Sequence, residues 1–324
     1  MKSRLIIIIA ILLTAFTYAD NLHAEVKRMK INGIEIRNDF VVEPGKTEVF
    51  LNPGETITKS ISITNRVNRD VSFKLTSEDL QGTDDPQSPL ILLGDDIGPY
   101  SLKNFIFPEI NEFTLAFGEK ITIPVNISIP FDAEPRGYYG ALIVSNAPDK
   151  FAEDGVTPTT EAEGKTVLVS RIGSLFLLRI NGEGKEEGHI TDFKIKGPVK
   201  SFYEHMPPGF EVGFKNTGNV HLVPYGEIII RNIFGMEIRR VPLDAYFVLP
   251  NSTRYREIET PETFGFGRYT AELTFYRGYG TEMIEEALSF WVLPWKIILL
   301  TFFGLLVLVS LVYYILTRFE LRRK

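Results

Sequence analysis

The 324-residue chain contains no cysteine, two tryptophans, five methionines and four histidines. Without cysteine there can be no disulfide framework, iron–sulfur cluster, thiol chemistry or Cys-ligated zinc. The histidines (His23, His189, His205 and His221) are scattered, and His189 and His221 have no carboxylate or second histidine at metal-ligand spacing. No Gly-x-Ser-x-Gly elbow, His-Glu-x-x-His helix or phosphate loop occurs, and Gly182-x-Gly184 lies in a Gly/Glu turn, not before a helix. Before the C-terminal apolar run, no window of useful length has helical period. These absences point away from an enzyme and from a cofactor.

The two ends carry what the middle lacks. Met1-Lys2-Ser3-Arg4 precedes an apolar run from Leu5 to Phe16, the pattern of a secretory signal within residues 1–24, with cleavage after Ala19 or Ala24. Residues 297–316 form a 20-residue stretch without charge. As a helix it would be roughly 30 Å long, matching bilayer hydrocarbon. Trp291 and Trp295 flank one end, and Tyr313 and Tyr314 lie near the other. The tail 317–324 carries Arg318, Arg322, Arg323 and Lys324 against Glu320. The positive-inside bias then puts the tail in the cytoplasm and residues 25–294 outside.

Charge agrees with that sidedness. The chain's net charge is −6, and its basic ends together contribute five positive charges, so residues 5–317 carry −11. An acidic exported body does not suit nucleic acid, which needs basic patches to neutralise phosphate.

The body reads as all-β: two immunoglobulin-like β-sandwich domains followed by a single transmembrane helix. Ile121, Ile123, Val125, Ile127 and Ile129 alternate with Thr122, Pro124, Asn126 and Ser128, the period of a half-buried strand. Pro124 cannot donate to a ladder, so this strand is a candidate sheet edge. Val71, Phe73 and Leu75 alternate likewise, and Asn52-Pro53-Gly54-Glu55 has type II turn chemistry. The glycine-rich run 181–188 divides the body into domains at 25–182 and 183–294. The acidic stretch 148–165 is a loop of the first domain or a linker between the two.

The halves repeat weakly. Gly137-x-Tyr139-x-Ala141 parallels Gly267-x-Tyr269-x-Ala271, each after a proline-containing turn, and both tyrosines suit the role of corner residues. Asn65 and Asn216 each end a strand before a polar loop. If Tyr139 and Ala141 face the core, Leu142 and Val144 face outward, where a loop, the sister domain or a partner must cover them. Leu90–Leu93 reads as a buried strand. Asp84-Asp85 and Asp95-Asp96 lie in turns without calcium-loop spacing.

Together, Leu51-Asn52-Pro53-Gly54-Glu55, Ile61–Asn65, Gly137–Ala141, Asn216–His221 with Pro224-Tyr225-Gly226, and the segment from Trp291 to Lys324 resemble the WxL-interacting proteins of bacterial cell surfaces. The resemblance implies a peptidoglycan-binding sandwich, a second host-binding sandwich, a membrane anchor and no catalysis. It also implies a cell-membrane protein whose partners are cell wall or other surface proteins. A second reading is a chaperone-like assembly factor that binds subunits by strand addition.

Overall fold

The computed structural model describes residues 25–146, 169–280 and 282–318. The signal segment, the acidic stretch 148–165 and the tail residues Arg322, Arg323 and Lys324 lie outside the described residues. The fold is all-β with one C-terminal helix, α1 (Trp295–Arg318). Contacts divide the chain into two units. One holds the described residues of Met1–Asp79, Leu93–Glu134 and Tyr139–Leu178; the other holds Leu80–Leu92, Pro135–Tyr138 and the described residues of Arg179–Lys324. The second unit thus takes in two short segments that lie before the glycine-rich run.

The first set of strands is β1 (Lys27–Lys30), β2 (Phe40–Glu43), β3 (Lys46–Leu51), β4 (Thr56–Asn65), β5 (Val71–Gly82), β6 (Leu90–Leu92), β7 (Ile106–Pro108), β8 (Glu112–Leu115), β9 (Glu119–Ser128), β10 (Gly137–Asn146) and β11 (Arg171–Ile180). One sheet runs β1-β9-β4-β2 with β7 also on β9; the other runs β3-β11-β10-β5-β6 with β8 also on β5. The chain changes sheets between β2 and β3, at Pro44 and Gly45.

The isoleucine alternation sets β9 as read. Ile121, Ile123, Val125 and Ile127 are buried, with Ile121 opposite Ile63 and Ile123 opposite Ile61. The polar set pairs on the outer face, through Ser62 with Thr122 at 2.9 Å and Thr58 with Asn126 at 2.7 Å. Asn52–Glu55 closes with a 3.1 Å bond from Glu55 N–H to Asn52 C=O, and Gly54 has φ 78°, which glycine adopts without a Cβ clash.

β9 is not an edge. β1 covers it from Glu119 to Thr122 and β7 covers it from Val125 to Ile127. Pro124 sits in the gap between the two, and its carbonyl accepts Glu109 N–H at 3.0 Å. N–H and C=O of one strand residue point the same way, so the missing donor falls where the covering strand is interrupted. Proline explains the break in the cover rather than a free edge. Leu90–Leu92 forms β6 but stays half exposed, Ile91 and Leu92 included, because it is a three-residue outer strand on β5.

The second set is β12 (Gly188–Ile195), β13 (Gly209–Asn216), β14 (Tyr225–Asn232), β15 (Glu237–Leu243), β16 (Ser252–Glu259), β17 (Gly267–Tyr276) and β18 (Met283–Val292). Its sheets run β12-β13-β16 and β15-β14-β17-β18. This is the seven-strand immunoglobulin-like order with the fourth strand moved beside the third. The same order is embedded in the first set as β2-β4-β9 against β6-β5-β10-β11. Phe214 of β13 meets Phe275 of β17 at 4.9 Å across the core of the second sandwich. Phe73 of β5 meets Phe40 of β2 at 5.0 Å in the first.

The duplication is clearest at the two asparagines, each fully buried. Asn65 Nδ2 donates to the carbonyls of Arg69 and Leu115, both at 2.9 Å, and its Oδ1 accepts Val67 N–H at 2.9 Å. Asn216 Nδ2 donates to Val220 and Val248 at 2.8 and 2.9 Å, and its Oδ1 accepts Gly218 N–H at 2.9 Å. Each side chain thus serves the residue two ahead, the residue four ahead and a distant segment. Only an amide supplies two donors and an acceptor in that fork. Replacing Asn216 with Ala removes all three bonds, but the Val248 carbonyl still accepts Leu222 N–H and Gly218 N–H still reaches the Glu187 carbonyl, so the buried Val220 carbonyl is the group left short, a loss of about 1–3 kcal/mol. Urea denaturation of the detergent-solubilised chain measures it; a change within error would show that water replaces the amide at no loss.

Candidate functional site

The residues picked out in the sequence fall into three places. Tyr269 opens β17, and its hydroxyl lies 3.2 Å from the N–H of Phe266 and 3.4 Å from its C=O. It therefore holds the corner between β16 and β17, while its ring stacks on Phe290 at 5.8 Å. Tyr139 is buried and tied through its backbone, donating N–H to Tyr100 C=O at 2.8 Å, with the two rings 5.9 Å apart.

Leu142 and Val144 do not form a partner surface. Val144 lies opposite Leu75, Asn146 opposite Phe73 and Leu142 opposite Ser77, and directly opposed residues share a face. Phe73 packs on Phe40 of the facing sheet, so this face is the core. Both side chains are completely buried. Tyr139, Ala141 and Ile143 occupy the other face, on which Thr76 and Glu78 also lie. In β17 the parity is opposite: Tyr269, Ala271 and Leu273 belong to the core cluster. The Gly-x-Tyr-x-Ala match is therefore offset by one face between the two sandwiches.

The acidic turns are already occupied. Asp84 is held by Thr253 Oγ1 at 2.7 Å and Lys215 Nζ at 3.0 Å, and these hydrogen bonds, first from Thr253, keep its carboxyl below the ordinary range. The carbonyls of Gly94, Asp95 and Asp96 receive the Lys103 ammonium. Buried Asp79 accepts N–H from Gly98, Leu102 and Lys103 at 2.9–3.0 Å and fixes the loop that carries them. Sequence inspection missed Asp79, since an acid inside an apolar strand signals its role only once its loop partners are placed. His221 is buried, with Nε2 3.1 Å from the Tyr279 hydroxyl. Among the described residues no group of three or more His, Asp or Glu could hold a metal ion.

Among the described residues, two features stand out as available to other molecules. The first is α1, 24 residues long and without a buried residue. It is long and apolar enough to cross a membrane. Trp295 is its first residue and Arg318 its last, whereas Trp291 belongs to β18 and is half exposed.

The second is the outer edge of β18. This strand pairs with β17 residue for residue from Met283 to Val292, without a bulge. It is the terminal strand of its sheet. At its end, Tyr203 N–H donates to Trp291 C=O at 2.8 Å and Leu293 N–H donates to Tyr203 C=O at 2.7 Å. The backbone groups of Trp291 therefore point to the open side, and by alternation so do those of Ser289, Ala287 and Glu285.

No protein-family model matches the chain, and no curated protein sequence does. Among solved structures it is similar to the class 5 fimbriae chaperone CfaA, at 12% identity over 79% of this chain and all of that one, with a TM-score of 0.38. It is also similar to a chain of the CsuC–CsuE chaperone–tip subunit complex of Acinetobacter baumannii, at 13% identity over 76% and 97% with a TM-score of 0.37. The YadV chaperone matches at 11% over 78% and 99%, with a TM-score of 0.35. Likeness at this level carries neither partner nor mechanism to the present chain.

The placement of Leu142 generates a measurable outcome. Leu142→Ala removes buried volume from the core and lowers stability by about 2–5 kcal/mol. A denaturation midpoint equal to that of the parent chain would contradict the core placement.

Proposed function

We propose that the chain is a membrane-tethered, non-catalytic module that captures a partner polypeptide by adding its strand to the open edge of β18. Residues 25–294 lie on the extracytoplasmic side, and the partner is a co-exported surface protein or subunit. The observation that supports this reading most directly is the edge itself: ten residues in flush register, with backbone donors and acceptors of Glu285, Ala287 and Ser289 facing outward. An exposed ladder of this kind is a template for another chain.

Other outer strands are less suited. β12 is bulged between Ile190 and Asp192, and β15 has a register shift on β14 and carries Pro242. β1 and β2 have four residues each. β16 is regular but displays Arg254, Arg256, Glu257 and Glu259. β18 carries Glu285 and Glu286 at its centre. These acids discourage self-pairing and favour an incoming strand with lysine or arginine.

Ala287→Pro separates binding from folding. Its N–H faces away from β17, and proline is tolerated on an edge at such a position. The full chain in detergent, used as bait for purified co-exported surface proteins, captures its partner, and Ala287→Pro loses capture while stability changes by less than about 1 kcal/mol. Undiminished capture by the variant contradicts strand addition at β18. The same bait passed over purified cell wall tests the wall-binding role implied by the resemblance to WxL-interacting proteins; retention there that Ala287→Pro leaves intact supports a binding face distinct from this edge.

A further inference from the structure

One end of the second sandwich is unusually apolar at its tips. Strand register puts Val292 opposite Gly267, Tyr269 opposite Asn232 and Gly209 opposite Glu259. The loops 196–208, 233–236 and 260–266 therefore gather at the end where β18 leaves for α1. Their tips carry Val199 at 90% exposure, Phe234 at 83%, Ile233 at 68%, Phe264 at 65% and Phe266 at 64%, with Phe202 half exposed. Scattered apolar residues on a surface need no explanation, but six converging on one end do.

These tips are held outward by their own backbones. Met206 N–H donates to Thr263 C=O at 2.9 Å, joining the first loop to the third. Arg239 of β15 donates to Pro261 C=O at 2.8 Å and to Thr263 Oγ1 at 3.2 Å, joining the second. The Tyr269 hydroxyl pins the corner at Phe266. Polar bonds thus fix the loop stems and leave the rings in solvent.

No slack separates this end from the helix. Ile297 and Ile298 N–H both donate to Pro294 C=O, so α1 begins directly after Val292-Leu293-Pro294. Lys296 Nζ lies 2.9 Å from the Glu204 carboxylate, binding the first helical turn to loop 196–208. From Val292 to Ile297 the chain can span at most ~18 Å. If α1 crosses a bilayer, this end stands at the headgroup layer. Trp295 with Lys296 over its ring at 5.7 Å, and Tyr203 with Lys200 over its ring at 6.0 Å, supply the aromatic and cationic pairs that suit that layer.

We infer that the three loop tips insert into the headgroup–acyl boundary of the bilayer that α1 crosses, so the second sandwich is seated on the membrane rather than suspended from it. This rests on the membrane-tethered reading above. The apolar rings replace water contact with acyl contact, and Lys200 and Arg268 meet lipid phosphate.

The absence of cysteine allows a clean test. Single nitroxide labels are placed on the full chain in phosphatidylcholine–phosphatidylglycerol vesicles through Phe234→Cys, Phe266→Cys, Leu306→Cys and Met283→Cys. Met283 lies at the far end of β18, roughly 30 Å from Val292. Labels at Phe234 and Phe266 are expected to relax several-fold more with oxygen than with a water-soluble nickel chelate, as at Leu306, with the reverse at Met283. Loop labels as water-accessible as Met283, with Leu306 in lipid, overturn loop insertion and leave the span intact. A water-accessible Leu306 overturns the span, and loop insertion with it.

Discussion

The structure turns on one covalent constraint: an edge strand of the second sandwich continues, within three residues, into a helix long and apolar enough to cross a membrane. No residue of α1 is buried by the rest of the chain, so its apolar surface is left uncovered. Because Leu293 and Pro294 alone separate β18 from α1, whatever fixes the helix also fixes the end of β18. The Lys296–Glu204 pair and the Tyr203 bridge on Trp291 and Leu293 stiffen that junction further. The edge proposed for strand addition, Met283–Ser289, is thereby tied to the start of α1.

The rest of the body is a duplicated solution to a single packing problem. Each sandwich must bury two alternating faces and also satisfy the loop that follows its second strand. Asn65 and Asn216 do the latter with the same three hydrogen bonds, in sequences that share little else. The cores differ in how their faces are filled. β17 turns only one face inward, as its alternating burial shows, whereas every residue of β10 from Gly137 to Val144 is buried.

Local pattern made much of this legible. The isoleucine alternation of β9, the Asn52–Glu55 turn, the strand-ending asparagines and the apolar span follow from side-chain period, turn chemistry and length. What escaped were facts set by distant partners. Pro124 reads as an edge marker, but its edge is covered by two strands far away in sequence, one before β2 and one after β6. Leu142 reads as outward because a seven-residue match fixes sequence spacing and not facing; a strand fully buried on both sides gives no polar residue to mark its face. The apolar loop tips were silent because single phenylalanines in turns have no period. Asp79 was missed because its three backbone partners lie 19 to 24 residues away.

The account is tested most directly by asking on which side of the membrane each end of α1 lies. In spheroplasts, a membrane-impermeant maleimide is predicted to label the Phe131→Cys chain, whose site is 89% exposed in the first unit. It is predicted to label the Lys324→Cys chain only after the membrane is opened. Labelling of the carboxyl-terminal site in sealed cells, with Phe131→Cys protected until permeabilisation, would contradict the tether and the exported position of both sandwiches.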